Sequence, residues 1–124
     1  MNYGLKFKIF ELQCFIQKTY FDIKTAYDIA IYQENTSKYL ISLGFLNKSY
    51  MTYIEAKRFY RENEELVSVE FDNFLEAYDK LEHELKQVIL REDKNPLLLH
   101  SRLDQFKQKV RNISDLIKVL ENAR

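Results

Sequence analysis

The chain has 124 residues, of which 46% are apolar and 31% charged, a composition typical of one soluble globular domain. Its 2 glycines and 1 proline are too few for a disordered chain or for the turns of a β-sandwich or β-barrel. The 19 basic and 19 acidic residues cancel, so no net field favours nucleic acid or an acidic membrane. This composition predicts an all-α fold in one domain, residues 1–124.

The first predicted helix covers residues 5–32. Apolar side chains recur there at helical spacing, and four phenylalanines widen the apolar stripe beyond one face: Phe7, Phe10, Phe15 and Phe21. Such a helix is covered on more than one side, by its own chain or by a second one. Cys14 is the only cysteine and lies in the apolar run FELQCFIQ, so we expect a buried structural thiol.

The second predicted helix is short. A polar pause, QENTS, occupies residues 33–37, and a helix is expected over residues 38–43. Gly44 follows at once, and glycine just past a last helical turn supplies the left-handed conformation that other residues resist. The sequence therefore predicts a corner at Gly44 between two helices.

The third predicted helix is the longest, residues 49–91, because apolar residues alternate there in steps of four and three. Lys57 and Glu64 interrupt this apolar line, so we expect either a kink near residues 64–68 or a break in the helix there. The fourth helix, residues 96–122, keeps the same spacing without a polar interruption.

A four-residue link, EDKN, joins the last two helices and makes them antiparallel neighbours. The sequence thus predicts an antiparallel bundle of three long helices plus one short helix, with coiled-coil-like packing of the last two. Two charged lines run along these helices: an acidic stripe of Asp72, Glu76 and Asp79, and a basic stripe of Lys107, Arg111 and Lys118. They either face each other or form two separate solvated surfaces.

Helix lengths suggest where a partner would bind. At about 1.5 Å per residue an unbroken third helix outruns the fourth by roughly 20 Å. The overhanging end is rich in aromatic and basic side chains, and an apolar surface of that size is usually covered. The predicted partner-binding residues are Tyr50, Tyr53, Lys57, Arg58, Phe59, Tyr60 and Arg61.

Catalytic and metal-binding patterns are missing from the sequence. Its two histidines are His83 and His100, and neither follows a glutamate by three residues, as di-iron helical proteins require. Cys14 with either histidine has no evident third orienting group. We therefore predict no catalytic residues, no metal, no cofactor and no small-molecule substrate.

The favoured hypothesis is a non-catalytic helical interaction module of the scaffold, chaperone, inhibitor or secretion-accessory type, which binds a protein partner or itself. The alternative is a nucleic-acid-associated regulator that uses residues 53–61 or the basic last helix. Residues 53–61 combine aromatic side chains with lysine and arginine. The first residues lack a signal-peptide layout, and no run approaches the ~20 apolar residues of a membrane span. The sequence therefore predicts a cytoplasmic protein without a membrane partner.

Overall fold

The computed structural model describes residues 3–122, of which residue 3 by its backbone alone. The chain is 89% helix, and the described residues contain no strand, so the all-α prediction is confirmed. The elements are α1 (Tyr3–Tyr32), α2 (Lys38–Glu62), a 3₁₀ turn (Glu64–Leu66), α3 (Val69–Arg91) and α4 (Leu97–Asn122).

The predicted short second helix is wrong. Helix α2 has 25 residues and passes straight through Gly44, whose φ is not positive. A glycine inside a helix costs only about 1 kcal/mol relative to alanine. Burial of Ser42, Leu46 and Ser49 on one side of α2 outweighs that cost, since these residues pack against the neighbouring helices.

Replacing Gly44 with alanine is expected to raise the free energy of unfolding by about 0.5–1 kcal/mol. The residue is exposed, and a Cβ built there has no atom within 4 Å. Alanine therefore gains helix propensity without a clash. Urea unfolding of the Gly44→Ala variant measures the change, and a loss of stability would instead indicate the left-handed corner that the sequence predicts.

The predicted third helix is two helices. Of the two alternatives near residues 64–68, a kink and a break, the structure has the break: α2 ends at Glu62, and the chain reverses so that α2 and α3 run in opposite directions. Ser68 caps α3, because its Oγ accepts a hydrogen bond of 3.1 Å from the amide of Phe71. The Ser68 amide donates to the Tyr60 hydroxyl oxygen at 3.0 Å, and this oxygen also lies 3.1 Å from the Ser68 carbonyl oxygen. The reversal is therefore held by α2 itself.

Contacts between side chains show how the helices pair. Ser42 of α2 donates to the carbonyl of Ala26 in α1 at 2.6 Å, and the Phe59 and Phe15 rings lie 5.7 Å apart. Later residues of α2 thus meet earlier residues of α1, so these two helices run in opposite directions. Helix α4 meets α1 in the same sense, through Tyr20 with Phe106 and Tyr27 with His100.

The core lies where α1, α3 and α4 meet. Phe106 is fully buried, and its ring lies 5.3 Å from Phe74, 5.9 Å from Tyr78 and 6.1 Å from Tyr20. Tyr53 of α2 extends this cluster by stacking on Tyr78. Aromatic rings from all four helices therefore form one continuous apolar cluster.

The acidic and basic stripes do not pair. No ion pair within 4 Å joins them in the described part of the chain. Glu76 instead lies 3.1 Å from Lys80 on its own helix, and Asp72 accepts a hydrogen bond of 2.9 Å from Tyr60. The basic stripe of α4 keeps its charge facing solvent.

Candidate interaction surface

The overhang that motivated the predicted partner site does not exist. Because α3 folds back on α2, the two central tyrosines of that site are covered within the molecule. Tyr53 is 1% exposed and its ring stacks 4.0 Å from that of Tyr78. Tyr60 is 5% exposed and its ring lies 4.1 Å from Phe71. In this fold neither tyrosine can contact a partner.

Three of the other five predicted residues share one face of α2, because Tyr50, Lys57 and Arg61 follow one another at spacings of seven and four. Phe59 is half-buried against α1, and the Lys57 ammonium lies 5.8 Å from the centre of the Tyr53 ring. Tyr50, Arg58 and Arg61 remain exposed. Tyr50 is therefore the one aromatic side chain of the predicted site that is exposed on the same helix face as Lys57 and Arg61.

The hydroxyl groups of the buried tyrosines form hydrogen bonds within the molecule. The Tyr78 hydroxyl lies 2.8 Å from Ser49 Oγ, which itself donates to the carbonyl of Leu46 at 2.7 Å. The Tyr53 hydroxyl donates to the carbonyl of Leu75 at 3.3 Å. Burial raises the pKa of both tyrosines well above the ordinary value, so both stay neutral at physiological pH.

An apolar stripe runs along the outside of α1. Phe7, Phe10 and Phe21 are 56%, 59% and 66% exposed, and Cys14 is exposed between them. Their spacings of three, four and seven put them on one face of the helix. The prediction of a buried Cys14 is wrong, because this residue points away from the core. We call these four residues the outer stripe.

The opposite face of the same helix forms the core side. Its buried residues include Ile9, Leu12, Ile16 and Ile23. Helix α1 is therefore apolar on two faces, of which its own chain covers one. The sequence signal was the excess of phenylalanines beyond one face, but periodicity cannot tell which face meets solvent.

Two opposite charges flank the outer stripe on the side of α2. Glu11 lies four residues before Phe15, whose ring contacts Phe59 of α2. Lys18 lies four residues before Asp22, which contacts Lys48 of α2. Neither Glu11 nor Lys18 has an ion-pair partner within 4 Å among the residues that the structure describes.

A polar layer interrupts the contact between α1 and α2. Thr19 is fully buried and Asp22 is 2% exposed, and Thr19 Oγ1 and Asp22 Oδ2 have no hydrogen-bond partner within the described chain. The other Asp22 oxygen lies 3.8 Å from the ammonium of Lys48. Such groups cost free energy when buried, so this interface is less stable than its area suggests.

The two histidines take unrelated positions. His83 is exposed on α3, whereas His100 is half-buried and its Nδ1 is hydrogen-bonded to the hydroxyl of Tyr27. Burial raises the pKa of Tyr27 to about 12. The described residues contain no cluster of three or more histidine, cysteine, aspartate or glutamate side chains able to hold a metal ion.

No protein-family model matches the chain, and no curated protein or solved structure matches it significantly. Among residues 3–122 no helix has the length and apolar character needed to cross a membrane.

Proposed function

We propose that the protein is a non-catalytic helical interaction module that binds a protein partner, or itself, through the outer stripe. The observation that carries this proposal is the exposure of Phe7, Phe10 and Phe21 along one line of α1. A phenylalanine side chain offers roughly 200 Å², so the three rings expose about 350 Å² together. Apolar patches of that size on a monomer are often functional.

The proposal includes a rigid bundle behind this surface. We infer that the four helices form an antiparallel bundle in which α3 and α4 pack like a coiled coil, so that α1 is presented as a fixed rod. The exposed, unpaired thiol of Cys14 supports a reducing compartment, which would be the cytoplasm.

Charge reversal on the stripe tests the proposal. The variant Phe10→Glu/Phe21→Glu places two carboxylates on the proposed surface, and both positions are exposed, so the fold should tolerate them. The matched control is Leu40→Glu/Met51→Glu, which alters residues of α2 that are 74% and 69% exposed. All three proteins serve as bait in affinity capture from the native host and are run by analytical ultracentrifugation.

We expect wild type and control to share an interaction, with themselves or with another protein, that the stripe variant loses by at least about tenfold in affinity. Circular dichroism checks that all three are equally helical. If the stripe variant and the control bind equally well, or if the wild-type protein binds nothing by either method, the proposed function is wrong.

A second candidate is binding of nucleic acid by the basic stripe of α4. The observation that favours it is that the stripe's Lys107, Arg111 and Lys118 form no ion pair within 4 Å in the described chain. The version based on residues 53–61 is weaker, because Tyr53 and Tyr60 are buried and cannot stack on bases. Binding to DNA or RNA that weakens steeply with salt would support this candidate, and no binding at low salt would exclude it.

A further inference from the structure

We propose that the outer stripe binds the outer stripe of a second copy of this chain, with the two α1 helices antiparallel. This inference rests on the function proposed above and names its partner. It follows from the placement of the phenylalanines and of two unpaired charges on one exposed helix.

The phenylalanines define the register. Gln17 continues the spacing of the outer stripe between Cys14 and Phe21, so the stripe reads as the alternating three- and four-residue seam of a helix pair. When the two helices are antiparallel, Phe10 lies opposite Phe21 of the second copy, and Cys14 lies opposite Gln17. Each pair occurs twice through the two-fold axis. All four phenylalanines of these two pairs leave water.

The charges beside the stripe and along its continuation favour the antiparallel direction. Glu11 and Lys18 lie on the α2 side of the stripe, and an antiparallel pair brings the two α2 sides together. Glu11 of one copy then meets Lys18 of the other, twice. A parallel pair would also bring Glu11 near Lys6 of the other copy, but it would set Lys24 opposite Lys24 and Asp28 opposite Asp28 along the seam. Lys24 and Asp28 already form an ion pair of 2.7 Å within each α1, and each would then meet a like charge of the second copy, which repels.

The surface on each side of the stripe leaves room for a second helix. Helices α2 and α4 pack on the core side of α1, so they recede from the outer stripe. The rings of Phe10 and Phe21 expose about 250 Å² on each copy. Even with the side chains around them, the buried area is less than the roughly 800 Å² per partner of a standard interface. We therefore expect a reversible dimer with a dissociation constant in the micromolar range.

Charge swaps on the full chain test both the partner and the direction. Sedimentation equilibrium is measured from about 10 µM to about 500 µM, a range that spans the expected dissociation constant. The variant Glu11→Lys, or Lys18→Glu alone, turns two attractions into two repulsions and should weaken the dimer about tenfold. The double variant Glu11→Lys/Lys18→Glu exchanges the charges and should restore wild-type association. In a parallel dimer the substitution Glu11→Lys would instead place a second positive charge near Lys6 of the other copy, and association would not return.

A measurement on the unaltered protein covers the case of a variant that folds poorly. The exposed thiol of Cys14 should react with a maleimide more slowly as protein concentration rises through the dissociation constant, because the dimer covers it. A rate independent of concentration, a monomeric mass throughout, or failure of the double swap to restore a dimer each overturns the antiparallel pair. If the protein is monomeric but still captures another protein through Phe10 and Phe21, the proposed function stands and only the second copy is wrong.

Discussion

Replacing Phe106 with alanine is expected to lower the free energy of unfolding by about 3–5 kcal/mol. The side chain is 0% exposed and joins three helices, since its ring contacts Tyr20 of α1 together with Phe74 and Tyr78 of α3. Alanine removes the buried ring and leaves a cavity among large, rigid neighbours that cannot collapse into it. A loss of this size is a large part of the ~5–15 kcal/mol that stabilises a typical domain.

Urea unfolding followed by circular dichroism measures this loss. With a slope of about 2 kcal/mol per molar urea, the midpoint should fall by roughly 2 M. Leu40→Ala is the matched control, because it also truncates a large apolar side chain on a helix but at 74% exposure. It should change stability by no more than about 0.5 kcal/mol. Equal losses in both variants would mean that Phe106 does not join the helices as described.

The spacing of apolar residues predicts the bounds of a helix well where that spacing is unbroken. Helices α1 and α4 were expected at residues 5–32 and 96–122, within two residues of their observed bounds. In both helices, burial of one face and local helix preference favour the same structure. The bounds of such a helix can therefore be predicted from its sequence alone.

Gly44 and the break after α2 show where local signals mislead. Gly44 looks like a helix end, yet the buried residues around it keep α2 helical. The true reversal contains neither glycine nor proline. It depends on Ser68 as a cap and on the hydroxyl of Tyr60, which lies eight residues earlier. A hydrogen bond between two elements is a tertiary feature, and residue spacing does not report it.

The burial of two residues of the predicted partner site, Tyr53 and Tyr60, has the same cause. The aromatic residues near Tyr53 and the phenylalanines of α1 are similarly apolar, and only the path of the chain decides which set is covered. Once α3 folds back, it covers Tyr53 and Tyr60, whereas no described element covers Phe10 or Phe21. The sequence shows that the chain has more aromatic side chains than one helix face can hold, but it does not show which of the two sets the fold leaves exposed.

Raising the pH above about 10 is expected to destabilise the fold strongly through Tyr78. This side chain is fully buried, and burial holds its pKa well above that of an unfolded tyrosine. Below about pH 10 both states keep the proton, so the stabilisation is complete. Above that pH the unfolded chain ionises while the folded one does not, so folding loses up to about 1.4 kcal/mol per pH unit. By about pH 11.5 the loss from Tyr78 alone should reach roughly 2 kcal/mol, and the raised pKa values of Tyr53, Tyr60 and Tyr27 act in the same direction.

Tyr78→Phe isolates this effect from all other alkaline changes. At neutral pH the variant loses one hydrogen bond to Ser49, which keeps its bond to the carbonyl of Leu46, so the cost should be about 1 kcal/mol. Above about pH 10 its stability should fall less steeply than that of wild type, by up to about 1.4 kcal/mol per pH unit. Urea unfolding of both proteins at a series of pH values from about 8 to about 11.5 gives the two slopes. If the free energy of unfolding falls equally steeply with pH in both proteins, the Tyr78 hydroxyl ionises as freely in the folded chain as in water. Tyr78 would then not lie in the aromatic core between α2, α3 and α4.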